Sequence, residues 1–212
     1  MCLAEPIVYV LDDDSRVRQS IAGLLSSRNY RVETFASAVK YLAFEKPNSP
    51  ACMILDLKMP GMSGLELQEA IKGDDALPII FITGHGDVPS SVRAMKAGAV
   101  DFLLKPVDNH ELLHAVDAAI ARDREARSTK AETAELRTHL ALLTPREREV
   151  LPFIVGGLLN KQTAAELGTR EITIQVHRGR IMRKMGAASL ADLVRMAAKL
   201  EISLVPKAYI NT

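Results

Sequence analysis

Five short stretches with the character of β-strands, each followed by a segment with helical spacing, dominate the first half of this 212-residue chain. A short apolar run is typical of a buried strand, and apolar residues three or four positions apart are typical of a helix packed against it. The alternation predicts a parallel sheet with helices on both faces, because a crossover helix joins parallel strands. The expected strands are Ile7–Leu11, Arg31–Phe35, Cys52–Leu55, Pro78–Ile82 and Val100–Leu104.

Charge is distributed unevenly along the chain, although the whole sequence carries only +1. Residues 1–121 carry a net −5 (11 Lys and Arg against 16 Asp and Glu), and residues 122–143 carry +1. Residues 144–212 carry +5. We therefore predict an acidic α/β domain, a helical linker and a small basic all-α domain, in that order. A small basic domain favours a polyanionic partner.

The sequence predicts a protein of the cytoplasm without a membrane partner. We find no secretory leader pattern at the N-terminus and no uncharged apolar run of about 18 residues. The two cysteines, Cys2 and Cys52, are too few for a disulfide framework. A reducing compartment fits this composition.

Polar side chains gather where the predicted strands end. Asp12 and Asp13 follow the first strand, and Asp56 ends the third. These strand ends are neighbours in a parallel sheet, so the carboxylates repel each other unless a cation joins them, and Mg²⁺ prefers such oxygen ligands. Thr83 and Lys105 follow the fourth and fifth strands. The set is suited to holding a phosphoryl group, because cations neutralise its oxygens while a carboxylate acts as nucleophile.

Residues 1–121 resemble the receiver domain of two-component response regulators, which has a flavodoxin-like (CheY-like), doubly wound, five-stranded fold. The motifs that carry the resemblance are VLDDD (10–14), LDLKMPGMSG (55–64), FITGHGD (81–87) and AMKAGAVDFLLKP (94–106). The resemblance makes Asp56 the phosphoacceptor. The implied ligands of Mg²⁺, or of Mn²⁺, are the carboxylates of Asp12, Asp13 and Asp56 and the backbone carbonyl of Lys58. The implied phosphate-contacting and switch residues are Thr83, Lys105 and Phe102.

The same resemblance has three further consequences. It implies a cis peptide bond before Pro106. It implies that Lys58 and His85 flank the pocket and influence the lifetime of the phosphate. A receiver catalyses only its own phosphoryl transfer and dephosphorylation, so we expect a transcription factor rather than an enzyme.

Residues 144–200 resemble the LuxR-type helix-turn-helix domain, with four helices. The matching motifs are LTPREREVL (143–151), GLLNKQTAAELG (157–168), TIQVHRGRIMRKMGA (173–187) and SLADLV (189–194). The recognition helix of such a domain lies in the major groove, and here it is Glu171–Met185. Its predicted base contacts are Gln175, Val176 and Gly179. The predicted phosphate contacts are Lys161, Arg178, Arg180, Arg183 and Lys184.

The two resemblances together imply a transcriptional regulator of the FixJ/NarL family from bacteria. A sensor histidine kinase would phosphorylate Asp56, and the regulator would bind double-stranded promoter DNA. A phosphorylated receiver would pair with a second copy through residues 87–120 or through the linker helix. Alternatively, phosphorylation would release a recognition helix that the receiver masks. RNA polymerase is an additional candidate partner.

Several alternatives stay open at this point. In the linker, Leu136, Leu140 and Leu143 form either a partner-facing seam or part of a solvated helix. The segment His110–His114 matches the H-E-x-x-H pattern of zinc proteases. A phosphatase of the haloacid-dehalogenase type is disfavoured, because Lys58 stands where that family places a second aspartate. A regulator that never uses phosphate is the remaining rival.

Overall fold

The computed structural model describes residues 5–73, 76–84 and 88–202. The strands are β1 (Ile7–Leu11), β2 (Arg31–Phe35), β3 (Ala51–Asp56), β4 (Ile79–Thr83) and β5 (Asp101–Leu104). The helices of the first half are α1 (Ser15–Ser26), α2 (Ala38–Leu42), α3 (Gly64–Ala70), α4 (Val88–Lys96) and α5 (Asn109–Ala141). The later helices are α6 (Pro145–Val155), α7 (Asn160–Glu166), α8 (Glu171–Met185) and α9 (Leu190–Lys199). None of these helices combines the length and the apolar character that a membrane span requires.

The five strands form one parallel sheet in the order β2-β1-β3-β4-β5. Alternate residues of a strand point to opposite faces, so Tyr9 and Leu11 join the core on one face while Val8 and Val10 join the core on the other. Helices cover both faces, as the sequence predicts for a doubly wound α/β fold. Leu11 lies opposite Leu55, which brings the ends of β1 and β3 side by side.

The chain divides into two compact units, residues 1–127 and 128–212, and α5 contains the boundary. In the second unit, α6 starts with a capping box, because the Thr144 side chain accepts from the backbone of Glu147 and the Glu147 side chain accepts in return. The core of this unit includes Val150, Ile154 and Ile181.

Two of the three leucines of the predicted linker, Leu140 and Leu143, belong to this second core, which corrects the interpretation of a solvated helix. Leu143 is buried in the cluster, Leu140 packs against it, and Leu136 is buried as well. They are therefore not a solvated face, and the packing of Leu140 and Leu143 within the unit leaves these two covered by their own chain. Spacing identifies an apolar helix face, but it does not identify the neighbour that covers that face.

Candidate functional site

Three carboxylates meet at the carboxyl ends of β1 and β3. One oxygen from each of Asp12, Asp13 and Asp56 lies within 4.8 Å of the others, and this is the one such group of potential metal ligands in the residues described. Asp12 is fully buried and Asp56 is 6 % exposed, whereas Asp13 faces solvent. The structure therefore assembles the acidic pocket that the strand ends predict.

An ammonium group balances part of this charge. The Lys105 Nζ lies 2.6 Å from Oδ2 of Asp12 and 3.4 Å from Oδ1 of Asp56. Burial alone lowers the pKa of Lys105, but its hydrogen bond to Asp12 and the charges of both carboxylates outweigh burial and raise that pKa. Burial is also the main reason that the pKa of Asp56 is raised, with Asp12 adding to it and Lys105 opposing it.

The remaining residues predicted for the receiver pocket lie at the same sheet edge. Thr83 ends β4 and is buried, and its carbonyl accepts a 2.8 Å hydrogen bond from the Lys105 backbone N–H. The backbone of Lys58 lies close enough to the Asp56 carboxylate to oppose the rise in the pKa of Asp56. Phe102 is half-buried on β5 beside Phe81, with ring centroids 6.4 Å apart.

Two other expectations for this region have different outcomes. The Lys105–Pro106 peptide bond is cis, as the resemblance implies. His85 lies outside the described residues.

Arg18 is a residue of this pocket that the sequence analysis missed. Its Nη1 donates to the backbone carbonyls of Asp12 and Asp13, at 2.6 and 3.0 Å. The side chain thereby ties the loop that carries both acids to α1. A basic residue on an amphipathic helix is ordinarily a solvated charge, so nothing in the sequence distinguished Arg18 from its neighbours.

The donors in the pocket fit a hard divalent cation. They are carboxylate oxygens, one carboxyl group is fully buried, and the pKa of Asp56 is raised partly by the charge of Asp12. Oxygen ligands and uncompensated negative charge are what Mg²⁺ requires. The H-E-x-x-H segment lacks such support: His110 and His114 are exposed on α5 and belong to no group of three potential ligands among the residues described.

The basic unit presents one helix with a buried face and an exposed, largely polar face. Ile174, Ile181 and Met185 of α8 are buried in the core of the unit. The predicted DNA-contacting residues that are exposed are Lys161, Gln175, Val176, Gly179, Arg180 and Arg183. Arg178 is half-buried. The predicted base contacts therefore lie on the accessible side of the helix.

Lys184 has a partner within the protein. Its Nζ lies 2.6 Å from Oε2 of Glu147, which is almost completely buried at 1 % exposure. Burial raises the pKa of Glu147, but the hydrogen bonds from Lys184 and from the Thr144 backbone outweigh burial and lower it overall. Lys184 therefore supports α6, a role that the sequence analysis did not anticipate because 37 residues separate the pair.

A second unanticipated contact joins α5 to the end of α8. The Nδ1 of His139 lies 3.2 Å from the carbonyl oxygen of Met185. The last carbonyls of a helix lack partners within the helix, so a side chain from another helix stabilises that end. Lys199 on α9 also forms an ion pair with Glu132 on α5. These contacts attach the end of α5 to the basic unit.

A five-stranded parallel fold with an acidic pocket, followed by a basic helical unit, defines a receiver joined to a DNA-binding domain. Residues 8–117 match the response regulator receiver domain family, and residues 141–197 match the luxR family of bacterial regulatory proteins. The chain therefore belongs to the response regulators with a LuxR-type DNA-binding domain, and it is a transcriptional regulator rather than an enzyme.

The chain aligns with similar proteins over most of its length and of theirs. The chain is 48 % identical over 198 residues to nodulation protein W of Bradyrhizobium diazoefficiens, covering 93 % of this chain and 87 % of that protein. It is 44 % identical over 191 residues to the transcriptional regulatory protein FixJ of Azorhizobium caulinodans, with 90 % of each covered. The solved structure of the response regulator StyR is 45 % identical, with a TM-score of 0.80 over 92 % of this chain and 100 % of that one.

Proposed function

We propose that a sensor histidine kinase phosphorylates Asp56 and that this phosphate controls the binding of the chain to promoter DNA. The observation that carries the proposal is the pocket itself. It combines a buried carboxylate at the end of β3, two further carboxylates within 4.8 Å and a lysine ammonium 3.4 Å away. That arrangement suits an in-line transfer of a phosphoryl group, which depends on positioning and charge compensation.

In the transfer, an Asp56 carboxylate oxygen attacks phosphorus while the P–N bond to the kinase histidine breaks. The residues that would hold Mg²⁺ are Asp12, Asp13 and Asp56, with the Lys58 carbonyl. When bound, this ion neutralises carboxylate and phosphoryl oxygens. Lys105 compensates a further oxygen, and the Thr83 hydroxyl lies at the same edge, where it can donate a hydrogen bond to a phosphoryl oxygen.

The phosphate then acts by shifting a population between two conformations, through contacts made in only one of them. Thr83 would move toward the phosphoryl group, and Phe102 would follow it inward. In the described part of the 87–120 face, residues 88–120, four large apolar side chains are exposed. They are Val88, Val92, Met95 and Leu104. Their exposure supports pairing with a second copy through this face, which would bring two recognition helices to half-sites about one DNA turn apart.

The first experiment measures intact mass after incubation with acetyl phosphate, with and without Mg²⁺. We expect one phosphoryl group on the wild type in the presence of Mg²⁺, and none on Asp56→Asn. Asp13→Asn, which keeps Asp56 but loses a proposed metal ligand, serves as the matched variant and should need more Mg²⁺. A phosphoryl group detected on the Asp56→Asn variant would show that another residue is the acceptor.

The same samples then test the coupling to DNA. We expect phosphorylation to strengthen promoter binding by the wild type, with Asp56→Asn held at the unphosphorylated level. Equal binding by the two proteins under phosphorylating conditions would favour the phosphate-independent regulator. Candidate promoter fragments serve as the DNA in this assay. The mass of each protein–DNA complex then shows whether two copies of the protein bind.

A pair of adjacent residues on α8 separates DNA contact from structural support. Arg183→Met should lower the slope of log affinity against log salt by about 1, because one phosphate contact is lost. Lys184→Met should leave that slope unchanged but lower the free energy of unfolding by about 2 kcal/mol, because Glu147 loses its cation while buried. Salt-series anisotropy and urea unfolding measure the two effects. Identical profiles for the two variants would contradict the assignment.

A further inference from the structure

The line of α8 residues that lies opposite its buried stripe is uncharged in the N-terminal half of the helix and charged in the C-terminal half. Ile174, Ile181 and Met185 form the buried stripe of α8. Four residues point outward on the opposite side, and the last three follow the first at four, seven and eleven positions. They are Ile172, Val176, Gly179 and Arg183. The half near the N-terminus of the helix, which is the half that contacts base edges in this motif, contains no charge along this line.

Two large apolar side chains in that half are exposed. Ile172 is 62 % exposed and Val176 is 46 % exposed, although neither forms part of the core of its own unit. Four residues separate them, so they lie one above the other, one turn apart on the same side of the helix. An apolar patch that a protein keeps in water at its binding face indicates a surface that is covered when the partner binds.

The surroundings of this pair indicate that the partner surface is the major groove. Gly179 adds no side chain beyond them, and a Cβ built there would meet nothing within 4 Å. The helix can therefore approach a groove closely at that point. Exposed basic residues, Arg180 and Arg183, follow on the same helix, where phosphates would flank the groove.

We propose that Ile172 and Val176 contact the C5-methyl groups of two thymines in each half-site. Apolar side chains contact the thymine methyl, which is the apolar feature of the major groove, whereas the commonest specific contacts to guanine come from arginine or lysine. Four residues of helix span about 6 Å, so the two A·T pairs lie about two base-pair steps apart. Gln175, exposed beside Val176, suits an adenine in the same segment. This inference rests on the DNA-binding function and adds the sequence class of its target.

The test begins with selection of binding sites from random duplexes by the full chain in acetyl phosphate and Mg²⁺. We expect two enriched thymines in each half-site, about two base-pair steps apart. Replacing either thymine by deoxyuridine removes only the methyl group. Each replacement should weaken wild-type binding about fourfold, the effect of one lost apolar carbon contact.

Variants then assign each methyl group to one side chain. Ile172→Ser should be insensitive to deoxyuridine at one position and Val176→Ser at the other, while each keeps the salt dependence of the wild type. Leu142→Ser removes an equally exposed apolar side chain of the same unit outside α8 and should behave as wild type. Circular dichroism confirms that each variant is folded.

The outcomes separate the inference from the function beneath it. Selective, salt-dependent binding in which deoxyuridine has no effect would overturn the thymine contacts and leave DNA binding intact. Complete absence of selective, salt-dependent binding would overturn both. An equal loss of methyl sensitivity in Leu142→Ser would show that the effect does not come from the recognition helix, and would also overturn the inference.

Discussion

Replacing Lys105 by methionine should lower the free energy of unfolding of the receiver by about 3 kcal/mol at neutral pH without divalent cations. Lys105 is the cation that contacts both Asp12 and Asp56, at 2.6 and 3.4 Å. Asp12 is fully buried, so removal of the ammonium leaves an uncompensated charge that water does not reach. The variant should be rescued by Mg²⁺ more strongly than the wild type, because the metal then replaces the missing charge instead of competing with it.

The measurement is urea unfolding of the full chain, followed by tyrosine fluorescence, at increasing Mg²⁺. Three of the four tyrosines, Tyr9, Tyr30 and Tyr41, lie in the receiver, and the chain has no tryptophan. Lys58→Met is the control, since that side chain is exposed beside the same pocket. Adding Asp12→Asn to Lys105→Met should restore stability by removing the stranded charge. A loss no larger than that of the control, or equal Mg²⁺ stabilisation of both proteins, would contradict this account.

The layout of the receiver pocket was predictable because it follows from topology. Asp12 and Asp56 end neighbouring strands, and parallel strands bring their carboxyl ends to one edge. The period of the apolar residues placed those strands to within one position. In contrast, Arg18 contacts backbone carbonyls, and neither the type nor the spacing of residues in the sequence predicts such contacts.

The basic unit illustrates the same limit. The capping box of Thr144 and Glu147 is local and could be predicted, whereas the ion pair of Glu147 with Lys184 joins distant residues. In the sequence, Lys184 and its neighbour Arg183 are both basic residues of the same helix. Only the packing of the folded chain shows that Lys184 pairs with a buried carboxylate whereas Arg183 is exposed. The apolar face of the linker was visible in the sequence too, but not the core that covers it.

Asp123 is the clearest example of a contact between distant residues that the sequence does not reveal. Its replacement by alanine should lower the free energy of unfolding of the receiver by about 2–3 kcal/mol. Sequence analysis placed this residue in the linker, yet its carboxylate is buried. Its Oδ2 accepts from the Ala51 backbone N–H at 2.9 Å and from Arg127 Nε at 2.5 Å. Arg127 also donates to Asn48, at 2.7 Å. The loss of the carboxylate leaves a buried N–H at the start of β3 without its partner.

The graded variant Asp123→Asn keeps an acceptor for Ala51 but loses the charge that holds Arg127, so about 1 kcal/mol is expected. Glu125→Ala, at an exposed position two residues along the same helix, should change stability by less than about 0.5 kcal/mol. Hydrogen exchange of α5 should show lost protection up to Arg127 in Asp123→Ala and no change in Glu125→Ala. Since these contacts all lie before residue 128, where the second compact unit begins, we propose that the receiver extends past the predicted boundary at residue 121. An Asp123→Ala protein as stable as Glu125→Ala would mean that this part of α5 is linker after all.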